Sequence, residues 1–386
     1  IFGFIDRHPA TWQTFIPTAD HMRAPTLWRL LSQAGKRVVV LNVPVSYPVT
    51  SQPVNGVLIG CFLSPRLDER SVYPPSLLPK LAELGYRIDT NPWLARQGRS
   101  QILADILDAL EKRAATALYL LQHEDWDFFM AVLMETDRLH HFFFRPMEEN
   151  DPTWAPAFFD LYRRIDQIIG QVQARLDERT TLLLMSDHGF CSIKQEVFYN
   201  TWLADAGYLK YAVPPATIKG PDLAAIDPEQ SLAYSLDPGR IFINLAGREK
   251  GGRVQPAGYE RLRDELAAAA EALVDPRSGE RLVLKAYRRE ELYHGPYVGQ
   301  AADLILAPVD GYDPKGAFGK ATLTAQDPAL VGMHTYEDAF LCAAGVELAP
   351  DGFGIVDVMP TILELLDTPA PAHVDGRSLL SAASGR

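Results

Sequence analysis

Residues 26–43 read TLWRLLSQAGKRVVVLNV, and this stretch sets the fold class. Leu27, Leu30 and Leu31 fall at helical spacing, and Gly35 ends the turn. Arg37–Val43 is then a β-branched run between Gly35 and Pro44, without polar alternation, which is how a strand buried on both faces of a parallel sheet reads. Working outward, Gly56–Cys61 is a second, weaker strand. Ser100–His123 contains a long amphipathic helix with Ile102, Ile106, Leu110, Ala114 and Leu118 on one face. Asp127–Met134 is a strand, Trp154–Arg175 contains the next long helix, and Thr181–Met185 is a strand again. This alternation predicts an α/β protein with a three-layer αβα core, its mostly parallel central sheet covered by helices on both faces.

The texture changes between Ser231 and Tyr312. Leu232–Leu236 and Arg240–Leu245 are strand pieces joined by the Asp237-Pro-Gly turn, Tyr259–Leu273 is helical, and Arg281–Ala286 and Asp303–Leu306 are strand-like. The reading is an inserted, smaller α+β cap over 231–312 within a core made of 1–230 and 313–386. Ala339–Ala343 reads as a return strand and Val356–Leu366 as a closing helix with Asp357 near its start.

The 386 residues carry 37 Lys+Arg against 49 Asp+Glu, a formal charge of −12. A chain of that sign, with no Lys/Arg block, repels a polyphosphate backbone, so binding to a nucleic-acid polymer is not expected. The longest apolar stretches, Phe128–Met134 and Thr181–Met185, are strand-sized and far short of the roughly 20 residues of a membrane span. Cys61, Cys191 and Cys342 are scattered and lack C-x-x-C spacing, which predicts buried free thiols and a cytoplasmic location rather than a disulfide framework. The start, Ile1-Phe-Gly-Phe-Ile-Asp6, has neither the basic residues nor the apolar run of a signal peptide.

Three of the histidine positions have a strand and a carboxylate nearby. Glu135-Thr-Asp137-Arg-Leu-His140-His141 follows the Asp127–Met134 strand, and Asp137 and His141, four apart, share one side of a helical turn. Ser186-Asp187-His188-Gly189 follows Met185, where Gly189 lets the backbone turn so that Asp187 and His188 face one cavity. Gly332-Met-His334 lies in a loop before the return strand. Ligands in parallel sheets bind at the carboxyl ends of strands. Two carboxylates and three imidazoles suit Zn²⁺ and are tolerable for Mn²⁺ or Fe²⁺. Five ligands exceed one tetrahedral site, so two divalent metal ions are the economical expectation, one activating a nucleophile and the other stabilising a leaving oxygen at phosphorus. Taken singly, Asp137 with His141 equally fits a surface helix pair, Asp187 a helix cap and His334 a solvated loop residue. His140 reads as structural or as a support for the site, and His8, His21, His123, His294 and His373 as structural. Gly251-Gly252 reads as a turn, and Arg248, Lys250 and Arg253 as solvated loop charges.

In order along the chain, Thr136-Asp137-Arg-Leu-His140-His141-Phe-Phe-Phe144, Met185-Ser-Asp187-His188-Gly189-Phe190 and Gly332-Met-His334 resemble the metal-binding motifs of the alkaline phosphatase superfamily, in its type I phosphodiesterase/nucleotide pyrophosphatase branch. Leu41-Asn-Val-Pro-Val-Ser-Tyr-Pro48, Gly60-Cys-Phe-Leu-Ser-Pro65, Asp357-Val-Met-Pro-Thr-Ile-Leu363 and Asp375-Gly-Arg-Ser-Leu379 are similar to that branch as well. The resemblance implies an alkaline phosphatase-like fold and metal-dependent hydrolysis of a small-molecule phosphoric ester. It implies that Asp137, His141 and His334 hold one metal, and that Asp187 and His188 contribute to a second.

It further implies an Asp ligand and a Thr or Ser nucleophile before Ile1, so the chain is expected to be an N-terminally truncated enzyme. Such a chain alone would bind one metal better than two and turn over no substrate. Phe4 stands where the nucleotide pyrophosphatases place an Asn on a phosphate oxygen, a departure bearing on nucleotide specificity. Sulfatases and cofactor-independent phosphoglycerate mutases share the superfamily core. A reading from a different class is a non-catalytic or regulatory member that binds a partner through the cap.

Overall fold

The computed structural model describes residues 2–218, 220, 222–349 and 352–380. Ile1 lies outside them. The chain divides into two compact units: Thr18–Phe190 with His334–Arg386, and Ile1–Pro17 with Cys191–Met333. The latter takes in more chain than the 231–312 stretch whose texture changes in the sequence.

In the unit formed by 18–190 and 334–386, the helix Leu27–Gln33 and the strand Val38–Leu41 fall where the opening stretch predicts them. All four strand residues are fully buried. Period-two alternation sends Val38 and Val40 to one face, against Trp28, Leu31 and Leu363. Val39 and Leu41 go to the other, against Leu81, Ala117 and Leu120. Helices Leu27–Gln33 and Val358–Leu365 therefore cover one face, and Leu78–Glu83 and Arg99–His123 the other, which is the predicted three-layer arrangement.

Val38–Leu41 pairs in parallel with Gly56–Ile59 and with Phe128–Ala131, and the short Val72–Tyr73 closes one edge antiparallel. Leu182–Met185 pairs antiparallel with the return strand, Leu341–Ala344. Among the described residues, Phe128–Ala131 is the last strand on its side of the four-stranded sheet, and Leu182–Met185 has a strand partner on one side only.

The unit formed by 1–17 and 191–333 has its own core on a four-stranded antiparallel sheet, in the order Ala233–Leu236, Arg240–Ile243, Leu304–Pro308, Val283–Arg288. The helix Pro256–Glu271 packs on it through Leu262, Leu266 and Ala270. A second sheet joins Tyr312–Lys315, Gln195–Phe198 and Thr324–Ala325, and Asp6–His8 forms a hairpin with Gln13–Phe15. Arg248 corrects the sequence reading. It is not a solvated loop charge but forks onto Asp303, with both Nη atoms 2.7 Å from its carboxylate oxygens. Asp303 is wholly buried and also accepts from Arg289, Tyr259 and the backbone of Ile243.

None of the three cysteines is in a disulfide, and only Cys61 is buried. Cys191 is half-buried and Cys342 exposed, which corrects the expectation for those two. No helix among the described residues is long and apolar enough to cross a membrane.

Candidate metal centre

The helix Glu135–Glu148 begins four residues after the strand Phe128–Ala131 and carries Asp137 in its first turn, where the free amides of the helix start favour a carboxylate. Its first residue is anchored by a buried ion pair. Glu135, 1 % exposed, receives Arg113 Nε on its two carboxylate oxygens at 2.9 and 3.1 Å, and Arg113 reaches it from the helix Arg99–His123. Leu139, Phe142 and Phe143 bury the opposite side of the helix, which leaves Asp137 and His141 together on the remaining face.

His334 arrives from the strand Gly332–Thr335, not from a loop as the sequence reading has it. Strand alternation buries Met333 and turns His334 outward. Its Nε2 lies 3.2 Å from Asp137 Oδ2, and His141 Nε2 lies 3.3 Å from the same oxygen. One ligand atom from each of the three residues falls within 4.8 Å of the others.

His188 stacks beside His334 with ring centroids 3.9 Å apart, and its Nδ1 faces the Gly189 carbonyl at 3.1 Å. Asp187 Oδ1 is 3.5 Å from His188 Nε2, and the Asp187 side chain is 71 % exposed. The structure thus gathers Asp137, His141 and His334 into one cluster and places His188 against its edge, with Asp187 further out in solvent. Phe190 contributes the apolar wall, its ring packing edge-on against His141 and His334 at 5.1 and 4.9 Å. Phe190 enters the sequence reading only as the last residue of the Met185–Phe190 motif, with no role of its own.

Gly189 has an ordinary strand backbone, so it does not provide the turn that the sequence reading assigns to it. It is there for close approach. A Cβ at this position would overlap the Glu337 carbonyl oxygen and the Thr335 hydroxyl. Gly189→Ala is accordingly expected to cost ~1–3 kcal/mol by overpacking, read as a lowered thermal midpoint of the unit formed by 18–190 and 334–386.

Burial alone would raise the pKa of Asp137, but hydrogen bonds from His141 and His334, aided by the charge of Arg138, hold its carboxyl well below the usual range. It is an anion at any physiological pH. His140 behaves in the opposite way: burial lowers it to about 4, so it is neutral at pH 7. It stacks flat on Phe158 at 5.2 Å, with Nε2 2.6 Å from the Tyr162 hydroxyl, and serves packing. His8 stacks on Phe15, and His123 meets the Tyr119 carbonyl.

One carboxylate and two imidazoles are a donor set for Zn²⁺, and also for Mn²⁺ or Fe²⁺. The spacing fits as well. Bonds of about 2.0–2.1 Å in a tetrahedral site place donors about 3.3 Å apart, whereas a charge-assisted hydrogen bond draws its partners to about 2.7–2.9 Å. The observed 3.2 and 3.3 Å are long hydrogen bonds and are also close to the edge of such a coordination shell.

In comparisons with known proteins, the family model described as type I phosphodiesterase / nucleotide pyrophosphatase matches residues 1–337. No curated protein matches the sequence. Among solved structures, human ectonucleotide pyrophosphatase / phosphodiesterase 5 is similar over 96 % of this chain and 80 % of its own, at 14 % identity and a TM-score of 0.48.

Proposed function

This chain belongs to the type I phosphodiesterase / nucleotide pyrophosphatase family, and from that membership we propose that it hydrolyses small phosphoric esters at a two-metal centre. Metal-dependent hydrolysis of phosphoric esters is the activity of the family. The observation that carries the reading for this chain is the convergence of Asp137 Oδ2, His141 Nε2 and His334 Nε2 on one point. Asp137, His141 and His334 would hold one ion, and Asp187 and His188 would contribute to a second, with zinc the first choice for both.

Bound there, divalent cations withdraw charge from the phosphoryl and leaving oxygens. Asp137 supplies the fixed negative charge that attracts them. His141 and His334 present Nε2 to the site, and Phe190 packs against one side of the imidazoles. A Thr or Ser hydroxyl, which the family resemblance implies, would attack phosphorus in line, displacing the ester's leaving oxygen, and be released from the covalent intermediate by water.

The test has two arms. Zinc titration of Ile1–Arg386 by calorimetry is expected to show tight binding that His334→Ala removes. The protein expressed from its own initiation codon is expected to hydrolyse nitrophenyl phosphate esters, to lose that activity on chelation, and to regain it with zinc. A protein that hydrolyses these esters equally well after exhaustive chelation would sink the proposal, as would one that binds no zinc.

A further inference from the structure

Asp137 has two carboxylate oxygens, and Oδ2 lies 3.3 and 3.2 Å from His141 and His334 Nε2. Oδ1 faces the neighbouring Arg138, whose Nη1 lies 3.4 Å away. That guanidinium is fixed from behind by Asp89, with Nη2 2.6 Å from Asp89 Oδ2 and Nε 3.3 Å from Oδ1. Its Cζ also lies 5.2 Å from the centre of the Phe62 ring. Asp89 is held in turn by the amide of Thr90, which donates to Oδ1 at 2.8 Å. The three charged side chains are only 16–17 % exposed, so water does little to loosen or screen them.

We propose that Arg138, locked by Asp89, is a positioning residue that engages Oδ1 of Asp137 and confines that carboxylate to a single ligand oxygen, Oδ2, directed at His141 and His334. The inference rests on the metal-centre reading above. A carboxylate free to rotate can offer either oxygen or both, and it gives up that freedom when it binds a cation. One already held by an outer partner does not. A bare guanidinium so close to a ligand would repel the cation. Asp89 cancels that charge and leaves the trio with the single negative charge of Asp137 alone. Arg rather than Lys suits the task, because one planar fork must reach two carboxylates at once.

The experiment measures zinc affinity of the purified protein by competition with a chromophoric chelator, together with the absorption spectrum of the cobalt-substituted form. Arg138→Met and Asp89→Asn are each expected to weaken zinc about 10–100-fold. The double variant should be no weaker than the worse single one, since both act through one carboxylate. Arg138→Lys keeps the charge but loses the fork, and it is expected to fall between wild type and Arg138→Met with an altered cobalt spectrum.

Tighter or unchanged zinc binding in Arg138→Met would overturn the proposal and leave the arginine a charge effect or a bystander. Should Arg138→Met fail to fold, Arg138→Lys decides: affinity and spectrum equal to wild type refute positioning. A wild type that binds no zinc, or that keeps its zinc in His334→Ala, would instead bring down the metal-centre reading itself.

Discussion

Asp137→Asn is expected to abolish zinc binding and ester hydrolysis together, a larger loss than the ~10–100-fold typical of an outer partner. Oδ2 of this residue is the atom to which both imidazoles are drawn, at 3.2 and 3.3 Å. Asparagine keeps the shape and the place in the helix but exchanges the anion for a neutral amide. Half of the amide's polar surface is an N–H₂ donor, which repels a cation and cannot ligate one. The helix should survive, because it is anchored elsewhere, by the Arg113–Glu135 pair and by Leu139, Phe142 and Phe143. The protein should therefore stay folded, with a metal-free thermal midpoint lowered by loss of the interactions that depress the Asp137 pKa, while calorimetric zinc binding disappears. Retention of zinc by Asp137→Asn would mean that the cluster is an ordinary hydrogen-bonded network, and the hydrolase assignment would then stand on family membership without a site.

Asp303→Ala is expected to cost ~3–5 kcal/mol in the unit formed by 1–17 and 191–333, the scale for removing one partner of a buried ion pair. Asp303 takes the Arg248 fork, Arg289 Nη1 at 3.0 Å, the Tyr259 hydroxyl at 2.6 Å and the Ile243 amide at 2.6 Å. Alanine would leave two guanidinium groups and a tyrosine hydroxyl turned toward an apolar gap. Burial pushes the Asp303 pKa up, but the hydrogen bonds and charge of Arg248 outweigh it and hold the carboxyl below its ordinary range. A depressed pKa contributes stability that is present above the unfolded value, about 3.9, and is lost as the pH falls through the folded value. The gap between wild type and Asp303→Ala should thus be full at neutral pH and begin to shrink below about pH 4. Urea unfolding of both proteins across that range measures it, and a gap that is constant with pH would show that the carboxylate charge contributes nothing.

What the sequence discloses follows the range over which each interaction acts. Val38–Leu41 is legible because burial on both faces removes polar alternation. Arg99–His123 is legible because twenty-five residues repeat one face. The pair Asp137 and His141 is visible because four residues is one helical step. Arg248 and Asp303 are 55 positions apart, Asp89 and Arg138 49, Arg113 and Glu135 22, and no local pattern links residues at those distances. Tyr312–Lys315, of sequence YDPK, shows neither alternation nor β-branching and becomes a strand because it lies alongside Gln195–Phe198. His334 reads as a loop residue for a related reason: Gly332-Met-His-Thr335 is too short for periodicity, and tertiary pairing makes it a strand. The order of the motifs along the chain is legible all the same, because it does not depend on their secondary structure.

The contact between His334 and Asp137 joins residues 197 positions apart. A chain leaving the ribosome exposes Asp137 and His141 long before His334 exists, and until then a cation finds only one carboxylate and one imidazole on a helical turn. The proposed metal site would therefore be complete only once the chain has brought these distant residues together, and a cation bound there would stabilise the folded state by mass action.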